Sequence, residues 1–223
     1  MGKIENKALS RGGRLFLLLL SCAALTALPL GAGDRGGGDD VLSRFSAKAA
    51  GALVSFDYSY SMPNGMTVVK GSGNIRIQGQ KYIMVGDGLE VYCDALSRWT
   101  LDRESEEMII ESVMPEDYLS NPASLLGRVD VLFPHRKLSQ ESFQGRAATA
   151  ATLTPEEGTS SISKVKLYFR GETPVGMVMT LANGSDTTVE ISSLQFLPKV
   201  DEGAFSFDEK TLGSGWISTD LRQ

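Results

Sequence analysis

Apolar and polar residues alternate with a period of two along most of the chain after residue 53. Phe56, Tyr58 and Tyr60, for example, alternate with serine and aspartate. This alternation is typical of half-buried strands, and clusters such as Pro63-Asn64-Gly65 and Gly86-Asp87-Gly88 mark the turns between them. The pattern predicts strands over residues 54–61, 66–69, 73–78, 81–85, 89–93, 98–102, 108–113, 147–153, 164–170, 174–181, 187–196 and 205–208.

Two segments have a helical period instead. Near the start of the folded region, apolar residues recur every three or four positions after a capping aspartate, Asp39 or Asp40; they are Val41, Leu42, Phe45, Ala49 and Leu53. In mid-chain, Asn121-Pro122 is a typical helix start, and it precedes Leu125, Leu126, Val129 and Leu132.

The order of these elements predicts a mainly β fold. Tight turns favour antiparallel pairing, and most of these twelve segments together make a sheet of about ten strands, the size at which an open sheet usually curls. We therefore expect an incomplete antiparallel β-barrel, a curved sheet whose concave apolar face is covered by the helices. The expected divisions are a signal peptide over residues 1–33, a flexible leader over 34–40, the half-barrel domain over 41–212 and a C-terminal tail over 213–223.

The first 33 residues resemble a secretory signal peptide. Four basic residues precede an apolar run from Leu15 to Leu30, and Gly31-Ala32-Gly33 follows it. The run is shorter than the roughly 20 residues that span a membrane, so secretion and cleavage are expected, which places the chain outside the cytoplasm. Leu19-Leu20-Ser21-Cys22 also resembles a bacterial lipobox, which leaves open a lipid anchor on Cys22.

Composition narrows the possible chemistry. Residues 34–223 hold 18 basic and 26 acidic side chains, a net charge of −8, which argues against nucleic acid or an anionic membrane surface as the main partner. That segment has one cysteine, Cys93, and one histidine, His135. A zinc site or a histidine-based catalytic triad therefore lacks its ligands or its base. We expect no catalytic residues, no metal and no cofactor.

Methionine is common in the predicted strands, and flexible methionine side chains suit surfaces that adapt to variable apolar ligands. Alternation places the inward residues of several strands on one face. The same residues could equally form an ordinary core beneath the helices, and both interpretations hold if a helix moves aside. The candidate ligand-binding residues are Ile75, Ile77, Met84, Met108, Ile110, Val165, Leu167, Phe169, Met177 and Met179.

The order of several segments resembles the LolA family of periplasmic lipoprotein carriers. The segments are KGSGNIRIQGQKYIM (Lys70 to Met84), GDGLEVYCDALSRWTL (Gly86 to Leu101), NPASLL (Asn121 to Leu126) and the C-terminal FSFDEKTLGSGWISTDLRQ (Phe205 to Gln223). The resemblance covers nearly all of the chain after the leader, and it rests on the order and spacing of weak motifs.

The resemblance implies a non-enzymatic carrier that moves acylated lipoproteins from the inner to the outer membrane. It implies an inner-membrane release complex and an outer-membrane receptor as partners, and we expect a monomer. One departure is that Gly79-Gln80 stands where the family has Arg-Pro, whose arginine helps to hold the lid, and neither Arg76 nor Lys81 is assigned that role. The chain is therefore interpreted as a divergent member. A membrane-tethered receptor of the LolB type and an envelope scaffold protein that binds no lipid are the alternatives.

Overall fold

The computed structural model describes residues 40–114, 136–154 and 162–222. These residues form one helix of more than one turn, two short 3-10 turns and twelve strands. Helix α1 spans Val41–Ala50, and the 3-10 turns span Glu202–Phe205 and Glu209–Thr211. The strands are β1 Leu53–Asn64, β2 Thr67–Gln78, β3 Lys81–Gly86, β4 Leu89–Cys93, β5 Ser97–Asp102, β6 Glu107–Ser112, β7 Arg136–Phe143, β8 Arg146–Leu153, β9 Ile162–Arg170, β10 Thr173–Leu181, β11 Asp186–Leu197 and β12 Ile217–Asp220.

All twelve strands belong to a single curved sheet that does not close into a barrel. Their spatial order is β12-β6-β5-β4-β3-β2-β1-β11-β10-β9-β8-β7, so β12 and β7 are the two outer strands. Neighbours in the chain pair antiparallel except for β6 with β7 and β11 with β12, which do not pair. β1 joins the two halves by pairing with both β2 and β11. The expected half-open antiparallel architecture is confirmed, with twelve strands in place of about ten.

The strand assignments differ from the sequence-based prediction at four places. Residues 66–69 and 73–78 belong to one strand, β2, because the glycines between them continue to pair with β1. β7 was not predicted, and β12 lies in the expected tail and pairs parallel with β6. Residues 205–208, predicted as a strand, contain the end of a 3-10 turn, and only Phe205 of them is buried.

Helix α1 begins where the sequence places its cap. The Asp40 carboxylate accepts a hydrogen bond from the Ser43 backbone N–H at 2.9 Å, which satisfies one of the free N–H groups of the first turn. The helix ends at Ala50, and Leu53 already belongs to β1. The prediction that Leu53 continues the helix was wrong, because β1 places that side chain on the opposite face of the sheet, against Ile83.

The larger apolar core lies on the concave face, beneath α1. Four apolar residues of the helix pack there against inward side chains from eight strands. Pairing registers align these side chains across the sheet, for example Phe56 with Ile75 and Ile75 with Met84. Among the residues that the structure describes, one helix therefore covers this face and no second sheet lies on it.

A smaller core lies on the convex face of β4 to β6. Its buried members are Trp99, Leu101, Met108 and Ile110, and partly buried Tyr92, Phe207, Leu212 and Trp216 pack against them. The last three belong to a segment that we call the C-terminal strap, residues 200–222, which ends in β12. This convex cluster and the concave core occupy opposite faces of one sheet.

Several predicted features lie outside the described residues. They are the signal peptide over 1–33, Cys22, the mid-chain helix after Asn121 and His135. Among the described residues, no helix combines the length and apolar character needed to cross a membrane.

Candidate functional site

The concave face brings together eight of the ten predicted ligand-binding residues. Seven are buried in its core and Met177 is partly buried beside them; the seven are Ile75, Ile77, Met84, Val165, Leu167, Phe169 and Met179. They come from β2, β3, β9 and β10, so strands from both halves of the sheet contribute to one apolar surface.

Met108 and Ile110 do not belong to this surface. Val91 of β4, which lies on the concave side, pairs with Thr100 of β5, and Thr100 pairs with Ile109 of β6, so all three residues face the concave side. Met108 and Ile110 flank Ile109, so both point to the convex face, where they are 1% exposed in the other cluster. Placing them on the concave face was wrong by one residue of register, an error that reverses the face of every side chain in a strand.

Helix α1 covers the concave face through an aromatic contact at its centre. Phe45 lies edge-on to Phe169 of β9 and to Phe196 of β11, with ring centroids 6.0 Å apart in both pairs. One turn later, the Lys48 ammonium lies 4.2 Å from the Phe196 ring centroid. These side-chain contacts position α1 against the concave face of the sheet.

A shielded ion pair fastens the start of α1 to the outermost strand. Arg136, the first residue of β7, places Nε 3.0 Å from the Asp40 carboxylate, and the two side chains are only 11% and 14% exposed. The same guanidinium donates from Nη2 to the Ser43 hydroxyl at 3.0 Å. We call this set the β7 fastening. Losing one partner of such a pair costs about 2 kcal/mol, between the values for exposed and fully buried pairs.

A second ion pair on the same helix is exposed. Arg44 Nε donates to the Glu172 carboxylate at 2.8 Å, but the side chains are 42% and 65% exposed. Solvent screens such a pair, so it contributes less than about 1 kcal/mol. The contrast identifies Arg136 as the residue whose charge matters for the position of α1.

Neither basic residue near Gly79-Gln80 contacts α1. Lys81 pairs with Glu202 of the C-terminal strap at 2.8 Å. Arg76 alternates with the inward residues Ile75 and Ile77 and is exposed on the convex side. The fastening by Arg136 was not found from the sequence, because the residue lies 93 positions from Ser43 and in a strand that was not predicted.

Two tyrosines form one end of the concave face. Tyr58 and Tyr60 are nearly parallel, with ring centroids 6.5 Å apart. Their rings extend over the neighbouring glycines, since a β-carbon on Gly73 would lie only 2.6 Å from the Tyr58 hydroxyl. The pKa of both phenols is raised well above the ordinary value. Burial is the larger cause, and the negative charge of the Asp87 carboxylate is the smaller one. Both stay neutral at physiological pH and give this end of the face a polar character.

The one cysteine of the described residues also lies in this core. Cys93 is 1% exposed and pairs across the strands with Tyr82 and Arg98. Burial raises the pKa of its thiol to about 11. A buried neutral thiol reacts slowly, so its reactivity reports whether the concave face is open.

The arrangement supports binding more readily than chemistry. The concave face presents apolar side chains with neutral phenols at one end, and within the described residues no three histidine, cysteine, aspartate or glutamate side chains are placed to share a metal ion. The sequence showed the tyrosines through their alternation in β1, but it carried no signal that glycines on β2 and β3 make room for them.

Comparisons with known proteins agree with this architecture. The family described as "Outer membrane lipoprotein carrier protein LolA" matches residues 55–208. Proteins named outer-membrane lipoprotein carrier protein from Chromohalobacter salexigens and from Bordetella avium are each 25% identical over 209 residues, covering 87% of this chain and 94% of the relative. A solved structure of an uncharacterised conserved protein from Thermus thermophilus has a TM-score of 0.51 at 8% identity, covering 82% of this chain and 97% of that one, and it supports the fold alone.

Proposed function

The chain belongs to the LolA family of outer-membrane lipoprotein carriers, and from this premise we propose that it carries acylated lipoproteins with their acyl chains against the concave face. The observation that carries the proposal is the cover: within the described part of the chain, a broad apolar face is closed by one helix, which side-chain contacts fasten to the sheet. A carrier, in contrast to an enzyme, needs only such a face and a way to open it.

The energetics of acyl chains suit this site. Each buried methylene contributes about 0.8 kcal/mol, so one chain of ordinary length supplies enough free energy to offset a displaced helix. Met177 and Met179 line the face with flexible side chains that adapt to chains of different shape. Met179 is buried and Met177 partly buried in the concave core, so the proposed binding site and the closed core use one surface.

Opening of the concave face requires α1 to move, and breaking the β7 fastening contributes to the free-energy cost of that movement. An acyl chain and α1 compete for the same apolar residues, so binding shifts the equilibrium towards a displaced helix. A donor that presents acyl chains then drives loading, and a receptor with higher affinity for them drives release. The inner-membrane release complex and the outer-membrane receptor of the family are the proposed partners, in the periplasm, for a monomeric carrier.

A matched pair of substitutions on one strand tests the proposal. Met177 and Val178 are adjacent in β10, both partly buried, and they face the concave core and the convex side respectively. Met177→Gln and Val178→Thr each replace an apolar side chain by a polar side chain of similar size. We expect Met177→Gln to weaken binding of a fluorescent long-chain fatty acid about tenfold, roughly 1.4 kcal/mol, and Val178→Thr to change it less than twofold.

Cys93 supplies an independent readout in a Cys22→Ser background, where it is the only thiol. A bound acyl chain that displaces α1 changes the rate at which maleimide labels Cys93, and the change should be lost with Met177→Gln. Equal effects of the two substitutions would place the ligand elsewhere. No binding by the wild type or by an Arg136→Gln variant with a weakened fastening would reject the carrier function and favour a scaffold that binds no lipid.

A further inference from the structure

The β1–β2 hairpin projects beyond the rest of the sheet. β1 pairs with β11 as far as Ser61, and β2 pairs with β3 only from Gly73 onward. In the described part of the chain, residues 62–70 therefore pair only within the hairpin, and we call them the hairpin tip. Gly65 has φ +61° and makes the tight turn at its end.

The tip carries the most exposed apolar side chain of the described residues. Met66 is fully exposed at 105%, and Val68 is 59% exposed. Val68 pairs with exposed Pro63 on the convex side, whereas Met62 on the other side is 2% exposed and anchors the tip in the concave core. Three apolar side chains thus point into solvent at the hairpin tip.

The sequence around the hairpin tip is positively charged. Between Asp57 and Asp87 the sequence holds no aspartate or glutamate and three basic residues. One of them, Lys70, is exposed and follows Val68 by two positions, so both lie on the same side of β2. Lys70 is four positions after Met66, a distance of roughly 13 Å along an extended chain.

Two carboxylates outside the hairpin, those of Asp87 and Asp186, accept hydrogen bonds from neutral donors. Asp87 accepts a hydrogen bond from the Ser72 backbone N–H at 3.2 Å and one from Tyr60. Asp186 accepts from the Thr180 hydroxyl at 2.7 Å. The acidic balance of the whole chain argues against a broad contact with an anionic surface, but the hairpin tip itself holds no carboxylate.

We propose that the hairpin tip docks on a lipid bilayer, with Met66, Val68 and Pro63 in the interface and Lys70 at the level of the lipid phosphates. An apolar end followed by a cation is the arrangement that membrane interfaces favour. The patch is too small for a stable protein interface, which buries about 800 Å² on each partner. The contact is brief, as few side chains take part, and it goes beyond the proposed carriage of acyl chains because it rests on the hairpin alone.

Vesicle flotation tests the proposal with the Cys22→Ser chain and vesicles of phosphatidylethanolamine and phosphatidylglycerol. We expect the wild type to float and the double variant Met66→Ser/Val68→Ser to lose about tenfold in the bound fraction. Lys70→Ser should weaken binding to these vesicles and leave binding to pure phosphatidylcholine vesicles unchanged. The matched control is Leu96→Ser, since Leu96 is 77% exposed in the β4–β5 turn, at the opposite end of the sheet.

All four positions are exposed, so unfolding midpoints should agree among the variants, and fatty-acid binding should stay at the wild-type level. Loss of flotation with fatty-acid binding intact supports the tip as a membrane contact, independently of the carrier function. Failure of the wild type to float overturns the proposal and leaves a protein as the partner of the tip. Equal losses from Leu96→Ser and from the tip variant also overturn it.

Discussion

The concave core and the convex cluster are both apolar, but their covers are attached in different ways. Helix α1 contacts the concave face through Phe45 and Lys48 and is fastened by the side chains of Asp40, Ser43 and Arg136. The C-terminal strap continues the sheet itself, because β12 pairs with β6 and the Leu221 N–H donates to the Ile110 carbonyl at 2.8 Å.

This difference indicates which face can open. Removing the strap breaks a row of backbone hydrogen bonds and exposes carbonyls and N–H groups, whereas lifting α1 breaks side-chain contacts and leaves the helix intact. A binding site that must open and close is therefore expected on the concave face. The convex cluster is expected to remain closed and hold the outer strands in register.

The chain carries a separate reporter for each region. Both of its tryptophans, Trp99 and Trp216, belong to the convex cluster, so tryptophan emission follows the strap. Cys93 belongs to the concave core, so maleimide labelling reports the opening of that core. The two signals can be read on the same sample, which makes each prediction below a comparison of the two covers.

The largest expected effect comes from truncating the aromatic anchor of each cover. Phe205 of the strap is 1% exposed and Phe45 of α1 is 2% exposed. Phe205→Ala should lower the free energy of unfolding by about 3–5 kcal/mol, as for other buried phenylalanines. Phe45→Ala should cost less, about 2 kcal/mol, because α1 can detach while the sheet stays folded. Urea unfolding followed by circular dichroism, which reports the helix and the sheet together, measures both.

The labelling rate of Cys93 separates the two variants further. It should rise in Phe45→Ala and stay near the wild-type value in Phe205→Ala under native conditions. If both variants lose the same stability and label at the same rate, the two covers form one cooperative unit and the contrast between them is wrong.

An intermediate effect is expected from alkaline pH. Burial raises the pKa of the Cys93 thiol from its ordinary 9.0 to about 11, so the folded state favours the neutral form. That stabilisation is complete below pH 9 and is lost as the pH rises through 11, on the order of 2–3 kcal/mol. Urea unfolding between pH 8 and pH 11 should show the decline.

The tyrosines of the concave core shift in the same direction, so part of the alkaline decline should remain without the thiol. Cys93→Ala should make the decline shallower between pH 9 and 11. Met108→Leu in the convex cluster, which removes no titrating group, is the control and should leave the slope unchanged. An unchanged slope in Cys93→Ala would show that the thiol is not held neutral by the fold.

The smallest effect distinguishes the two ion pairs of α1. Arg136→Gln removes the shielded pair and should cost about 2 kcal/mol or slightly less, whereas Arg44→Gln removes the exposed pair and should cost under about 1 kcal/mol. Only Arg136→Gln should speed the labelling of Cys93, and tryptophan emission should change in neither. Faster labelling in Arg44→Gln as well would mean that α1 is held by its general charge and not by the β7 fastening.

The strands that the sequence predicted correctly are those whose alternation is supported by a turn. β3 and β4 are examples, because Gly86-Asp87-Gly88 marks the hairpin between Met84 and Val91. β7 has no such alternation, since its position as an outer strand leaves Lys137, Leu138 and Gln140 exposed. Its sequence therefore carries no two-residue period from which the strand could be predicted.

The faces of the strands were harder to predict than the strands themselves. Met108 and Ile109 are equally apolar, and only the pairing of Thr100 with Ile109 decides which of them meets Val91 on the concave side. In β10 the same reasoning succeeded for Met177 and Met179, because Val165 and Leu167 pair with them on the same face.

The sequence by itself determined the elements whose signals are local: the cap at Asp40, the turns, the alternation of the strands and the absence of a histidine-based catalytic set after residue 33. Tertiary structure alone decided which apolar residues share a face, which residue fastens α1 and that Met66 projects into solvent. The physical reason is that capping and turn formation depend on neighbours in the chain. Face, fastening and projection depend on strand pairing between residues far apart in it, and a shift of one residue changes them all.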